Sequence, residues 1–477
     1  MLTVPAPTPE RRISPLYGAR YQGAFDLAAL RAAHRPAYPG GGRLSVDGNV
    51  AAAIPFLQWW RAPIAAGFPI TPATKWLEHL AAESGSGKFD VEVGGVVRRG
   101  KRVKLLESEH AAADYIAGVA SACRDLIVGT ATSSVGLDHM AESVRSLGAS
   151  GLGNVVLVNV CRATANYPLC IEGDPSDHLA HRDSGFIQYM SRGKQQIYDA
   201  LLQLPAVGMH PEVLTPTMPA YYGIKDSHRA GLLDVAPDDA VNAFLEEALR
   251  LGSSRPHPAA QDFLEVGEPD PEPLPGLLDG DTAMGNCVSS AFFQGFKVAQ
   301  KERLRRALEV LPEVAALFER TFGRPGLTLF EQHRMDGARV ALVAMGPDAG
   351  TALQLLETME RELGARVGLI VLRLLTPFPS EALAAALAGV EAVGVVNNAH
   401  HHGRGHLTLD VEDALSGRGA APPVESFFCG MGGADVSATT WLEIARRTVQ
   451  AARAGRRAAR WHLLHDGMDL DLGRGGR

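Results

Sequence analysis

One stretch, residues 105–143, narrows the folds open to this chain more than any other. It reads LLESEHAAADYIAGVASACRDLIVGTATSSVGLDHMAES: a strand end, an acidic turn, a small-residue helix, a second strand, and a Gly/Ser/Thr turn opening another helix. Val103, Leu105 and Leu106 lead to Glu107, Ser108 and Glu109. Ala112, Tyr115, Ile116 and Val119 then recur at i, i+3, i+4 and i+7, the spacing of one helix face. Residues 126–128 form a short apolar strand, and 129–136 read as the polar turn after it. A carboxylate at such a strand-to-helix junction stands where open α/β sheets bind ligands, beyond the strands' carboxyl ends. It is equally an acid favoured by the positive end of a helix.

Composition sets outer limits. At 477 residues the chain has room for two or three domains, each with its own core, at roughly 150 residues per domain. With 46% hydrophobic and 21% charged residues it is an ordinary soluble globular sequence. A formal charge of −7 points away from nucleic acid or a membrane surface as partner. The five cysteines are scattered and form no CxxC pair, so neither a zinc ribbon nor a cysteine-held iron–sulfur cluster is expected from this chain alone. Their sparse, odd count suits a reducing, cytoplasmic setting. No apolar run approaches the ~20 residues that span a bilayer, and the N-terminus has no signal-peptide core.

Residues 1–42, rich in Pro, Arg, Ala and Gly with Tyr17, Tyr21 and Tyr38 among them, read as an extension packing on the surface or on a partner. A first domain is expected over 43–253, opening with a short strand, the turn Asp47-Gly48-Asn49 and an apolar helix. In the loop Phe68-Pro69-Ile70-Thr71-Pro72-Ala73-Thr74, two prolines flanking Ile-Thr keep the backbone extended. Thr71 either presents its hydroxyl to a ligand or caps the helix from Lys75 onward. Residues 154–160, NVVLVNV, are a continuous apolar run of the buried parallel-strand kind. Arg162 at its end either faces a ligand or pairs with a structural carboxylate. Asp174, Asp177, His178, His181 and Asp183 crowd the next segment, whose spacing matches no closed metal-ligand set; it reads as a solvated loop. Helices near 194–202 and 238–251 close the domain.

Residues 254–337 are expected to form a proline-rich connector and an amphipathic helix, roughly 292–322, bracing it against either domain. The last domain, 338–450, reads as β-α-β-α-β: strand 339–345, turn 346–350, helix 351–363, strand 367–374, helix 379–387 and strand 392–396. Right-handed crossovers make this a parallel sheet covered on both faces. The turn Gly346-Pro347-Asp348-Ala349-Gly350 is not GxGxxG, so a dinucleotide fingerprint is missing. His400, His401, His402 and His406 read as an exposed glycine-rich loop before a metal site. Residues 451–477, rich in Arg and Gly, read as a solvated tail.

In order, these segments resemble the 2-oxoacid:ferredoxin oxidoreductases, the pyruvate enzymes most closely, over residues ~43 to ~445. The family's DGN turn is matched by Asp47-Gly48-Asn49 and its YPITPSS loop by Phe68-Pro69-Ile70-Thr71-Pro72-Ala73-Thr74. Its SE turn corresponds to Ser108-Glu109, and its strand ending in Arg to Val160-Cys161-Arg162. GDHQD…RQTGF looks like Gly173-Asp174-Pro175-Ser176-Asp177 through Arg182-Asp183-Ser184-Gly185-Phe186. In the last domain GSG…R-x-RPF is echoed by Gly346, Arg373 and Pro377-Phe378, and GLGGRDV by Gly430-Met431-Gly432-Gly433-Ala434-Asp435-Val436.

The resemblance implies an α/β fold: a thiamine-diphosphate pyrimidine-binding domain, then a transketolase C-terminal-like three-layer α/β/α domain. It implies an α subunit that oxidatively decarboxylates a pyruvate-like 2-oxoacid to acyl-CoA, with coenzyme A as co-substrate. A β subunit would carry the cofactor's diphosphate, Mg²⁺ and at least one iron–sulfur cluster, with γ and δ subunits and a ferredoxin or flavodoxin acceptor as further partners. By the same resemblance Glu109 would be the catalytic group that hydrogen-bonds the aminopyrimidine ring nitrogen. Ile70 and Thr71 would line the cofactor, and Thr71 and Arg162 would hold the substrate carboxylate. Glu107 shares a strand face with Glu109 by spacing; Glu109 is preferred for its match to the SE turn. Pro175 and Asp183 replace the His and Gln of the pyruvate-type segment, which leaves the 2-oxoacid open. The alternatives are a non-redox thiamine-dependent decarboxylase, the thiamine component of a 2-oxoacid dehydrogenase complex, and a non-catalytic scaffold subunit.

Overall fold

The computed structural model describes residues 27–93, 96–164, 168–251, 290–401, 404–417, 421–459 and 461–469. Tyr17, Tyr21, the connector prolines, His402 and residues 470–477 lie outside them. Short pairings flank the main body: β1 (Gly42–Val46) on β10 (Gly231–Val235), and the hairpin of β3 (Asp90–Val93) and β4 (Val96–Arg99).

The first seven-stranded sheet is made of β2 (Ile64–Gly67), β5 (Arg102–Leu105), β6 (Val128–Thr132), β7 (Val155–Cys161), β8 (Ile187–Met190), β9 (Thr217–Tyr222) and β14 (Leu374–Thr376). Their order is β14-β8-β9-β7-β6-β2-β5, and all run parallel except β14. β7 is buried along its whole length, as its apolar run requires of a central parallel strand. β6 corrects the expected turn: residues 129–132 are strand. Gly129 is small for a packing reason, since a Cβ there would lie 2.2 Å from the Phe56 ring.

Helices Gly48–Gln58, Thr74–Gly85 and Gly193–Met209 cover one face of this sheet, with Asp238–Ala248 packed on them; Glu109–Ala122 and Ala141–Ala149 cover the other. The expected Asp47-Gly48-Asn49 turn is a helix start, with the Asp47 carboxylate capping Val50 N at 3.0 Å. The long helix, Ser290–Phe322, sits on the first sheet's helices. Phe318 and Phe322 each meet Phe244 with ring centroids 5.6 Å apart, and Gln300 donates to the Gly148 carbonyl.

The second sheet runs β11 (Phe330–His333), β13 (Val367–Leu372), β12 (Val340–Met345), β15 (Ala392–Asn397), β18 (Val424–Phe428), β19 (His462–His465), β20 (Met468–Asp469). Its inner strands are parallel and its two edges antiparallel. Helices Ala349–Leu363 and Ala438–Ala454 pack on one face, Ser380–Ala386 and His406–Leu415 on the other. Three expectations are corrected. The strand expected over 367–374 breaks at Arg373, whose guanidinium lies over the Tyr189 ring and near Glu331, and the chain crosses to the first sheet as β14. The tail is not wholly solvated, because β19 and β20 extend the sheet and His462 bonds the fully buried Glu425 at 2.8 Å. His400 and His401 form β16 (His400–His401), paired with β17 (Arg404–Gly405), while His406 is buried with Nδ1 2.8 Å from the Ala399 carbonyl.

Candidate functional site

Strand order brings the sequence-marked residues to one edge. β5, β2, β6 and β7 are parallel neighbours. The segments leaving their carboxyl ends carry Glu109, Thr71, Ser134 to His139, and Arg162, respectively. It is at this edge that open parallel sheets bind ligands.

Glu109 is the first residue of its helix, behind Ser108, whose hydroxyl accepts from Ala111 N at 3.1 Å. Glu109 is 6% exposed, whereas Glu107 points to solvent. The carboxylate lies over the turn after β6. A Cβ on Gly136 would come 2.8 Å from its Oε1 and 2.4 Å from Thr132 Oγ1, so glycine makes room for it. Its Oε2 accepts a hydrogen bond from His139 Nδ1 at 3.1 Å. The helix-end reading holds: Glu109 opens its helix, in the first turn.

Thr71 does not cap a helix: the cap position before Thr74–Gly85 is Ala73, without a side-chain bond. Thr71 is exposed, and its carbonyl accepts from Arg162 Nη1 at 2.8 Å. The fully buried Asn49 anchors this loop, donating to the Pro72 carbonyl and accepting from the Tyr221 hydroxyl, both at 2.8 Å. Ile70 packs its side chain against the core, and its carbonyl closes the turn by accepting from Ala73 N and Thr74 N. Arg162 is 5% exposed, and among the described residues no carboxylate pairs with its guanidinium, whose Nε has no partner.

The segment expected to be a solvated loop is buried. Asp177, 1% exposed, accepts from Ser134 N at 2.8 Å, Arg162 N at 3.0 Å and His178 N at 2.6 Å. It thereby ties the ends of β6 and β7 together. Burial pushes its carboxyl up to about 6. His178 is fully buried, which lowers its imidazole to about 3 and keeps it neutral. Ser134 sits at φ 44°, ψ −116°, a region that costs a non-glycine residue about 1–3 kcal/mol. Asp183 is exposed, and Pro175 only leads into the short helix Ser176–Ala180.

Ser134, Asp138 and His139 were not singled out from sequence; Asp138 Oδ1 lies 3.0 Å from His181 Nε2. Their signal was their position, directly after a strand in a turn of small residues. The motif residues of the last domain hold the two sheets together. Gly346, at φ 71°, faces the Tyr222 ring, Gly432 N donates to Asp174, and Lys225 bridges Asp348 at 2.9 Å and Asp435 at 3.1 Å.

Residues 61–269 match the thiamine-diphosphate-binding domain of pyruvate flavodoxin/ferredoxin oxidoreductases, and 338–440 match core domain II of pyruvate:ferredoxin oxidoreductase. The pyruvate synthase subunit PorA of Thermotoga maritima is 31% identical over 376 residues, 78% of this chain and 86% of that subunit. The chain belongs to the 2-oxoacid:ferredoxin oxidoreductase family. A second relative, the ketoisovalerate oxidoreductase subunit VorA of Pyrococcus abyssi, is 28% identical over 425 residues, 88% of this chain and 97% of that one. The 2-oxoglutarate:ferredoxin oxidoreductase from Magnetococcus marinus shares the fold, with a TM-score of 0.57 at 17% identity over 86% of this chain; the match spans 65% of that longer chain. Both relatives are named as subunits. No described helix is long and apolar enough to cross a membrane.

Proposed function

We propose that this α subunit works with a β subunit to decarboxylate a 2-oxoacid oxidatively, pass the acyl group to coenzyme A and deliver electrons to ferredoxin or flavodoxin. The observation that carries the reading is the buried Glu109 carboxylate at a strand-to-helix junction, on the same sheet edge as the Thr71–Arg162 pair. The residues present fit the pyrimidine end of thiamine diphosphate. Beside Glu109, across Gly136, the buried Thr132 hydroxyl finds no hydrogen-bond partner among the described residues, nor do those of Thr130 and Ser133 on the same strand end, and a polar ring would use such groups. The diphosphate, its Mg²⁺ and the iron–sulfur clusters fall to the partner subunits, in keeping with a sequence without CxxC.

When bound, thiamine diphosphate supplies the electron sink for decarboxylation. Glu109 holds a proton at the pyrimidine ring nitrogen through a charge-assisted hydrogen bond, strong where water is excluded. Arg162 receives the substrate carboxylate with its planar fork, and the Thr71 hydroxyl completes the contact. Asp177 and the Thr71 carbonyl fix Arg162 beforehand, so little order is lost when substrate arrives.

The test is co-production with the cluster-bearing partner and measurement of ferredoxin reduction. Reduction that needs both a 2-oxoacid and coenzyme A supports the reading. Release of aldehyde without reduced ferredoxin, from a complex lacking cluster iron, would replace it with a non-redox decarboxylase.

A further inference from the structure

We infer that His139 is a positioning residue for Glu109, fixing the plane of its carboxylate before the cofactor arrives. The inference rests on the reading of Glu109 as the group that meets the pyrimidine nitrogen. The Nδ1–H of His139 donates to Glu109 Oε2 at 3.1 Å, across the gap between the turn after β6 and the helix after β5. The two side chains differ in solvation: 56% of the His139 side chain is exposed against 8% for Glu109. The imidazole thus reaches in from the solvent side to hold a carboxylate that is itself out of water.

The surrounding charges leave His139 to this one partner. His110, whose ring is stacked on that of His139 at 6.4 Å, pairs with Asp114 at 3.4 Å. Asp138, the neighbour in sequence, is bound by the buried His181 at 3.0 Å. Glu142, on the following helix, is exposed. Each nearby histidine has its own acid, and that of His139 is Glu109. With Oε2 held by the imidazole N–H, Oε1 is left to face the cofactor, so losing that donor should weaken cofactor binding.

The experiment measures thiamine diphosphate affinity of the assembled complex by titration calorimetry for the wild type, His139→Ala and His139→Asn. Asparagine places an N–H donor near the position of Nδ1. His139→Asn should bind within about twofold of wild type, and His139→Ala about three- to tenfold more weakly, the loss of one hydrogen bond to a charged group near the surface. Wild-type affinity in His139→Ala would overturn the inference, as would an affinity in His139→Asn as low as that of His139→Ala. Glu109→Gln in the same assay separates the two claims. If it binds and turns over as wild type, the reading of Glu109 fails; if it is impaired while both His139 variants are normal, only the role of His139 fails.

Discussion

Asp177→Asn separates the stability of the fold from the order of its site. Asp177 is 1% exposed, and burial raises its carboxyl from 3.8 to about 6 despite three backbone N–H donors. Ionised at pH 7, it therefore costs the fold about 3 kcal/mol relative to an unfolded chain in which it is an ordinary carboxylate. An amide escapes that cost, but its nitrogen must face one of the three donors, a loss of about 1–3 kcal/mol. At pH 7 the two effects nearly cancel, and the variant should be as stable as the wild type or slightly more so. As pH falls through 6 toward 3.8 the native wild type takes up a proton before the unfolded chain does, so the wild type gains stability and the variant does not. Near pH 4 the variant should be weaker by about 1–3 kcal/mol. Urea denaturation followed by tryptophan emission at the two pH values gives the difference. At pH 7 the KM for the 2-oxoacid should rise about tenfold, as Arg162 and Ser134 lose part of their shared anchor. A stability offset that is constant with pH refutes the buried, proton-taking carboxyl, and an unchanged KM refutes its link to Arg162.

Gly129→Ala would place a methyl group 2.2 Å from the Phe56 ring and should destabilise the chain by about 1–3 kcal/mol, with Phe56→Leu restoring part of the loss. Full stability of Gly129→Ala in thermal denaturation contradicts the placement of β6. Lys225→Met strands the Asp348 carboxylate, whose side chain is 8% exposed like that of Lys225, at a cost of about 3–5 kcal/mol. Faster amide hydrogen exchange over Leu374–Thr376 should report the loosened contact between the sheets; an unchanged rate means the bridge does not hold them.

What could be read from the residues followed how directly burial shows in side-chain chemistry. The apolar run of β7 and the strand–helix alternation of 339–396 announce themselves, because buried parallel strands select large aliphatic residues on both faces. β6 does not, because Gly129 has no room for bulk against Phe56 and, with the threonines beside it, reads as a turn residue. Asp177 and His178 read as solvated because charge normally is; their burial depends on backbone donors from Ser134 and Arg162, distant in sequence. The crossover at Arg373 depends on Tyr189 and Glu331, and no local pattern encodes those contacts. At the site, Glu109, Thr71 and Arg162 stood out through ordered motifs, while His139 needed the fold to bring it to Glu109.

The most direct test of the account is hydrogen–deuterium exchange at the C2 position of thiamine diphosphate in the reconstituted complex, comparing Glu109→Gln with Glu107→Gln. Glu109 is buried against the turn after β6 and Glu107 is exposed. Glu109→Gln should slow exchange and turnover by orders of magnitude, with Glu107→Gln close to wild type. Rapid exchange in Glu109→Gln together with its loss in Glu107→Gln would contradict the assignment of the site.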